Sequence, residues 1–222
     1  MPLCFLDDSL WFPPVEEAEP DGLLAVGGDL SPQRLLLAYQ NGIFPWYNED
    51  EPPLWWSPDP RFVLFPDELN VSKSMRQLIR RNEFEFKTDA AFSEVIWNCS
   101  SVKRPDTDGT WISNEVIEAY NALHKKGYAH SAEAWQNGQL VGGLYGVLLD
   151  RVFFGESMFS LVSNASKFAF ISWVELLKTK GIALIDCQVY TAHLESLGAR
   201  MVSREIFIEM LKNNIEVSLR NE

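Results

Sequence analysis

From residue 129 to residue 189 the chain spells out an antiparallel meander, a long helix and one more strand, and few folds admit that order. Residues 129–135 alternate as a strand, and Asn137-Gly138 is a strong tight-turn signal. Residues 140–148 read as the return strand, Leu149-Asp150 as a second turn and 151–158 as a third strand. A helix is predicted over 164–180, stopped by Gly181, and 182–189 reads as a buried strand. Two of these segments carry a carboxylate in an apolar run: Gly155-Glu156-Ser157-Met158-Phe159-Ser160 and Ile185-Asp186-Cys187-Gln188-Val189. A carboxylate so placed is costly unless it has partners. Two of them on neighbouring strands predict a polar site inside an apolar pocket, the make-up of a small-molecule or catalytic cleft.

The rest of the chain divides at about residue 61. Residues 1–60 hold ten of the twelve prolines and read as irregular. One helix is clear there, with Ser31 as N-cap, Pro32 at N1, Leu35 to Tyr39 as its apolar face and Gly42 as its stop. This predicts a small loop-rich N-terminal domain over 1–61 and an α+β domain over 62–222. In the second, 61–65 reads as a strand, Ser72 caps a helix to about Arg81, and Ser113 caps a helix with Val116, Ile117, Tyr120 and Leu123 on one face. A short helix precedes Gly198, a strand lies near 200–202, and Ser203 caps the last helix.

A chain of 222 residues, 46% apolar, can bury one core or one core plus a small subdomain. A net charge of −12 argues against broad nucleic-acid binding and leaves room for a local basic patch gripping one nucleic-acid end. Cys4, Cys99 and Cys187 have no metal or disulfide spacing, which fits a reducing cytoplasm. The acidic first residues are not those of a signal peptide, and no run of eighteen apolar residues predicts a membrane span.

On a strand, Asp186 and Gln188 face the same side, so their side chains are predicted to touch, with Cys187 packed on the opposite face. The bland account of that pair is a polar gap closed within a sheet. Gly155 before Glu156 permits a close backbone approach; the bland partner for Glu156 is Lys167. Lys73, Arg76 and Arg80 share a helix face at i, i+3, i+7, and Arg81 follows. Five of the nineteen cations lie within 73–87, which is either a phosphate-binding stripe or a solvated face. His124, His130 and His193 have no ligand spacing, and Gly27-Gly28 lacks the Lys-Ser/Thr of a phosphate loop.

From residue 61 onward the element order resembles the acyltransferase fold of the N-acetyltransferase superfamily (GNAT-like), whose mixed sheet splays open to admit an acyl donor. A CoA-dependent member needs a Gly-rich pyrophosphate loop before the long helix. Leu161-Val162-Ser163-Asn164-Ala165-Ser166-Lys167 stands there, without a glycine.

Eight strings then accumulate in order: Gly22-Leu23-Leu24-Ala25-Val26-Gly27-Gly28-Asp29-Leu30, Gly42-Ile43-Phe44-Pro45-Trp46-Tyr47, Trp55-Trp56-Ser57-Pro58-Asp59-Pro60-Arg61, Gly109-Thr110-Trp111-Ile112, Gly155 to Ser160, Asn164-Ala165-Ser166-Lys167, Asp186-Cys187-Gln188 and Ser196-Leu197-Gly198-Ala199. Together they resemble the leucyl/phenylalanyl-tRNA–protein transferase family. The resemblance implies transfer of Leu or Phe from the 3′ end of a charged tRNA to a protein beginning with Arg or Lys, which marks that protein for degradation. It implies no ATP, metal or CoA, because the aminoacyl ester is already activated, and it suggests a cytoplasmic monomer.

The resemblance also implies residue roles. Glu156, Asp186 and Gln188 fall at the reaction centre, with Gln188 orienting the incoming amine and Asp186 supporting it or relaying its proton. Leu144, Phe153, Met158, Phe170, Trp173 and Ile185 map to the amino-acid pocket. Trp46 and Trp111 map to the aromatic pair around the terminal adenosine, while Trp55 and Trp56 read as structural. Lys73, Arg76, Arg80 and Arg81 map to the acceptor-stem phosphates. The alternatives are a CoA-dependent N-acetyltransferase and a non-catalytic reader of basic N-termini or tRNA ends.

Overall fold

The computed structural model describes residues 3–101 and 112–216. The N-terminal segment holds more regular structure than its prolines suggest. Strands β1 (Cys4–Leu6), β2 (Leu23–Gly27), β3 (Phe44–Pro45) and β4 (Leu54–Trp56) form a sheet in the order β1-β2-β4-β3. Strands of two to five residues between prolines are too short to show an alternation, so the expectation of an irregular segment is corrected here. Helix α1 (Pro32–Gln40) has the expected cap, Ser31 Oγ accepting the Arg34 N–H at 3.3 Å.

The second sheet has seven strands: β5 (Arg61–Leu64), β6 (Glu85–Thr88), β7 (Ala129–Gln136), β8 (Gln139–Leu149), β9 (Val152–Ser160), β10 (Leu184–Gln188) and β11 (Arg200–Val202), in the order β11-β5-β10-β9-β8-β7-β6. All pairings are antiparallel except β9 with β10, so the sheet is mixed and the fold is α+β. The helices are α2 (Lys73–Arg80), α3 (Phe92–Ser101), α4 (Asn114–Lys125), α5 (Ala165–Thr179), α6 (Ala192–Ser196) and α7 (Arg204–Asn214). Ser72, Ser113 and Ser203 each accept the N–H three residues on, at 3.3 Å. Such caps contribute about 1 kcal/mol each.

The sheet separates two cores. Phe154 and Tyr145 join residues of α3, α4 and the N-terminal segment, whereas their chain neighbours Phe153 and Leu144 join α5. Period-two alternation sends adjacent residues to opposite faces. Helix α5 starts tightly against β8: a Cβ on Gly142 would stand 2.6 Å from the Cβ of Ala165. The feature that positions the site is the parallel pair. Strands β9 and β10 pair only at Val152↔Leu184, Phe153↔Ile185 and Phe154↔Asp186. Beyond that point β9 stays with β8 and β10 turns away, and the two strand ends open a cleft.

Candidate active site

A cavity of about 400 Å³ fills this cleft. Its apolar side includes Leu144, Met158, Phe170, Ile185 and Leu194, and its polar side includes Glu156 and Gln188. Phe153 and Trp173, also mapped to the pocket from sequence, are fully buried in edge contact with each other and do not line the cavity.

Both polar segments sit on β-bulges. The β8–β9 register passes from Gly146↔Gly155 to Tyr145↔Ser157, leaving Glu156 as the extra residue. The β5–β10 register passes from Val63↔Asp186 to Phe62↔Gln188, leaving Cys187 as the extra one. A bulge re-aims side chains out of the strand's alternation. The Val189 N–H then donates to the Cys187 carbonyl at 2.7 Å, closing a γ-turn on Gln188, whose φ is +62°. This left-handed backbone costs a non-glycine residue roughly 1–2 kcal/mol. Strain of that kind concentrates at functional sites.

The bulges overturn one expectation. The side chains of Asp186 and Gln188 do not pair. Gln188 Nε2 instead donates across the cleft to Glu156 Oε1 at 2.9 Å. Asp186 Oδ1 accepts the Gln188 backbone N–H at 2.9 Å. Its two oxygens also take the fork of Arg61, with Nε to Oδ1 at 2.8 Å and Nη2 to Oδ2 at 2.6 Å, both residues fully buried. Nor is Cys187 turned away: it lines the cavity with Gln188, and burial raises its thiol pKa, so it stays protonated.

Glu156 is held by neutral groups rather than by Lys167. Tyr39 OH donates to Oε1 at 2.8 Å and Tyr120 OH to Oε2 at 2.9 Å, and the two phenols also touch each other. Burial pushes both tyrosines well above the usual phenol range, so they remain donors. For Glu156 itself burial is the largest effect, and the charge of Asp186 adds to it. The three hydrogen bonds oppose them, and the result is a carboxyl raised to about 7. Sequence reading missed these tyrosines because each lies within an apolar helix stripe. The available signal was the hydroxyl itself, since a buried tyrosine needs a partner for it. It also missed His193, which lines the cavity with a buried Nε2 that has no hydrogen-bond partner among the described residues. Burial, then the nearby Lys167 charge, lowers the His193 pKa.

Outside the cavity, Trp46 is 45% exposed and its carbonyl accepts the Trp56 indole N–H at 2.7 Å. Trp55 is buried, its indole donating to the Gly27 carbonyl at 2.8 Å. Trp111 lies outside the described residues. Lys73, Arg76, Arg80 and Arg81 are all exposed, and Arg81 is 3.7 Å from Glu83.

An apolar slot ending in a carboxyl, two phenols and an amide, at the opening of a mixed sheet, has the make-up of an enzyme's substrate cleft. Comparison with known proteins gives the family. The leucyl/phenylalanyl-tRNA protein transferase model matches residues 63–212, and the model of that family's N-terminal domain matches residues 28–59. A leucyl/phenylalanyl-tRNA–protein transferase from Flavobacterium johnsoniae is 58% identical over 94% of this chain and 99% of its own length. One from Syntrophobacter fumaroxidans is 56% identical over 100% of this chain and 95% of its own. Among solved structures, a GCN5-related N-acetyltransferase-like protein from Streptococcus suis aligns at 12% identity with a TM-score of 0.39, over 73% of this chain and 60% of its own. The chain belongs to the leucyl/phenylalanyl-tRNA–protein transferase family.

Proposed function

We propose that the chain transfers Leu or Phe from aminoacyl-tRNA to the N-terminus of an acceptor protein that begins with Arg or Lys, marking that protein for degradation. The observation that carries this reading is the Gln188–Glu156 hydrogen bond at the mouth of the apolar cavity. The donor's side chain enters the slot between Leu144, Met158, Phe170 and Ile185, and its ester lies at the polar mouth. Leu and Phe are told from smaller side chains by cavity filling, which discriminates by about 1–3 kcal/mol per methylene.

The acceptor α-amine has a pKa of about 7.7–8.0, so it must lose a proton before it attacks. A carboxyl at about 7 is a matched acceptor for it. Gln188 donates its Nε2 to Glu156, which leaves its carbonyl oxygen to accept an amine N–H and aim the lone pair. The nitrogen forms a bond to the ester carbonyl carbon, the bond to the ribose oxygen breaks, and Glu156 returns the proton to that oxygen. Both Asp186 oxygens are occupied by Arg61 and the Gln188 N–H. We therefore read Asp186 as a positioning residue that sets the turn at Gln188, not as a proton relay. Trp46 offers an exposed face for stacking the terminal adenosine, at about 1–3 kcal/mol per base, and the α2 cations lie free to contact acceptor-stem phosphates.

Charged tRNA as donor suits a cytoplasmic enzyme, which is the location we propose. Among the described residues no helix is long and apolar enough to cross a membrane. The test is transfer of labelled Leu or Phe from tRNA to a peptide starting with Arg, without CoA. Product in that mixture supports the reading. Transfer only from acetyl-CoA, or binding without turnover, sinks it. Gln188→Ala should lower kcat far more than tRNA affinity.

A further inference from the structure

We infer that Arg61 is a positioning residue for the transfer, locking the two walls that hold Glu156 into one closed ring of hydrogen bonds. The inference rests on the role proposed above for Glu156. The ring can be followed bond by bond. Tyr39 OH donates to Glu156, and the Tyr39 carbonyl accepts the Gly42 N–H at 3.1 Å. The Gly42 carbonyl accepts Arg61 Nη1 at 3.1 Å. Arg61 then forks onto Asp186, Asp186 holds the Gln188 N–H, and Gln188 Nε2 returns to Glu156. One wall is the end of α1 and the other is the turn after β10. Apart from Glu156 itself, Arg61, at the start of β5, is the one link in the ring that touches both.

The chemistry of the link explains the residue type. The guanidinium is wholly buried between the rings of Phe44 and Phe207, each 4.7 Å from its centre. Its planar fork presents donors in fixed directions, so one side chain serves two carboxylate oxygens and a carbonyl; an ammonium cannot hold that geometry. Stability alone does not call for such a pair, because apolar residues of similar volume often replace buried ion pairs at no cost. What the pair adds is direction: it fixes where Gln188 and Tyr39 stand relative to each other, and so where the Glu156 carboxyl points.

The test is Arg61→Lys, which keeps the charge and loses the fork. A misplacement of about 1 Å costs on the order of 100-fold in rate, so kcat should fall by about that factor with KM for charged tRNA unchanged. A double-mutant cycle supplies the readout that a merely structural role would not move. If Arg61 acts through Gln188, Arg61→Lys added to Gln188→Ala should slow transfer no further than Gln188→Ala alone. Independently of activity, the Gln188 side-chain amide signal in the NMR spectrum should move to its solvent-exposed position in Arg61→Lys. Should Arg61→Lys fail to fold, the apolar pair Arg61→Met with Asp186→Leu is measured instead, with a wild-type melting temperature and about the same loss of kcat expected. Wild-type kcat in the folded variant, an additive cycle or an unmoved Gln188 amide each overturns the inference. A wild-type protein that transfers nothing overturns the proposed function instead.

Discussion

The cavity between β9 and β10 and the exposed face of α2 both depend on charge, under opposite conditions. In the cavity, Arg61 and Asp186 are fully buried and satisfied by each other, while Glu156 has only neutral donors around it. On α2, Lys73, Arg76 and Arg80 stand in water. Inside, a charge is costly and directional, and one altered atom changes protonation or geometry. Outside, charges are cheap, screened and additive. The two carboxylates sharpen the point. Asp186 has a cation beside it and Glu156 has none, and burial raises the Glu156 carboxyl to about 7, where it can exchange a proton near neutrality.

The largest expected effect is therefore at Glu156. Glu156→Gln preserves the size of the side chain and removes its proton-accepting form. It should lower the single-turnover transfer rate by about 10²–10⁴, with charged-tRNA binding intact. A rate within twofold of wild type would break the contrast drawn between cavity and surface. Next is Asp186→Asn, which leaves Arg61 charged, buried and unmatched. It should destabilise the fold by about 3–5 kcal/mol in urea unfolding; a loss below about 1 kcal/mol would show the pair to be hydrated.

Glu156 also gives stability a pH dependence of definite sign. Its folded pKa lies above its ordinary value of 4.5. Its contribution is therefore fully present below 4.5 and is lost as pH rises through about 7. The span is worth about 3 kcal/mol. Other carboxylates titrate too, so the measurement is the difference between wild type and Glu156→Gln. The variant should gain on wild type steadily from pH 5 to pH 8. A flat difference would mean that Glu156 is solvated.

Much of this was legible in sequence. The meander was readable because Asn137-Gly138 and the alternation agree, and the serine-capped helices because cap, stripe and stop coincide. Strand β6 escaped because Glu85-Phe86-Lys87-Thr88 is an edge strand with no buried residue to set a pattern. In the site, Glu156, Asp186 and Gln188 stood out as polar residues in apolar runs. Arg61, a cation opening the apolar strand Arg61–Leu64, carried the same signal and went unread. The partnering itself was not legible. Two bulges decide which side chains meet, and a bulge depends on the register against another strand, distant in the chain. Strand periodicity paired Asp186 with Gln188; the bulges pair Gln188 with Glu156.

The smallest expected effect lies on α2, and it tests the other half of the comparison. Residues 1–60 carry eleven acids and a single arginine, a net −10 against −12 for the whole chain. The remainder is nearly balanced, and α2 is a basic stripe upon it. A tRNA phosphate backbone is thus repelled by one part of the molecule and attracted by another, which confines recognition to the acceptor end. Arg76→Ala with Arg80→Ala should weaken charged-tRNA binding and reduce the slope of log affinity against log salt by about 1 per lost contact, leaving kcat at saturating tRNA unchanged. Filter binding between about 50 and 200 mM salt reads both numbers. An unchanged slope would remove α2 from the tRNA path. A fall in kcat would show that the surface is coupled to the cavity and that the two regions do not act independently.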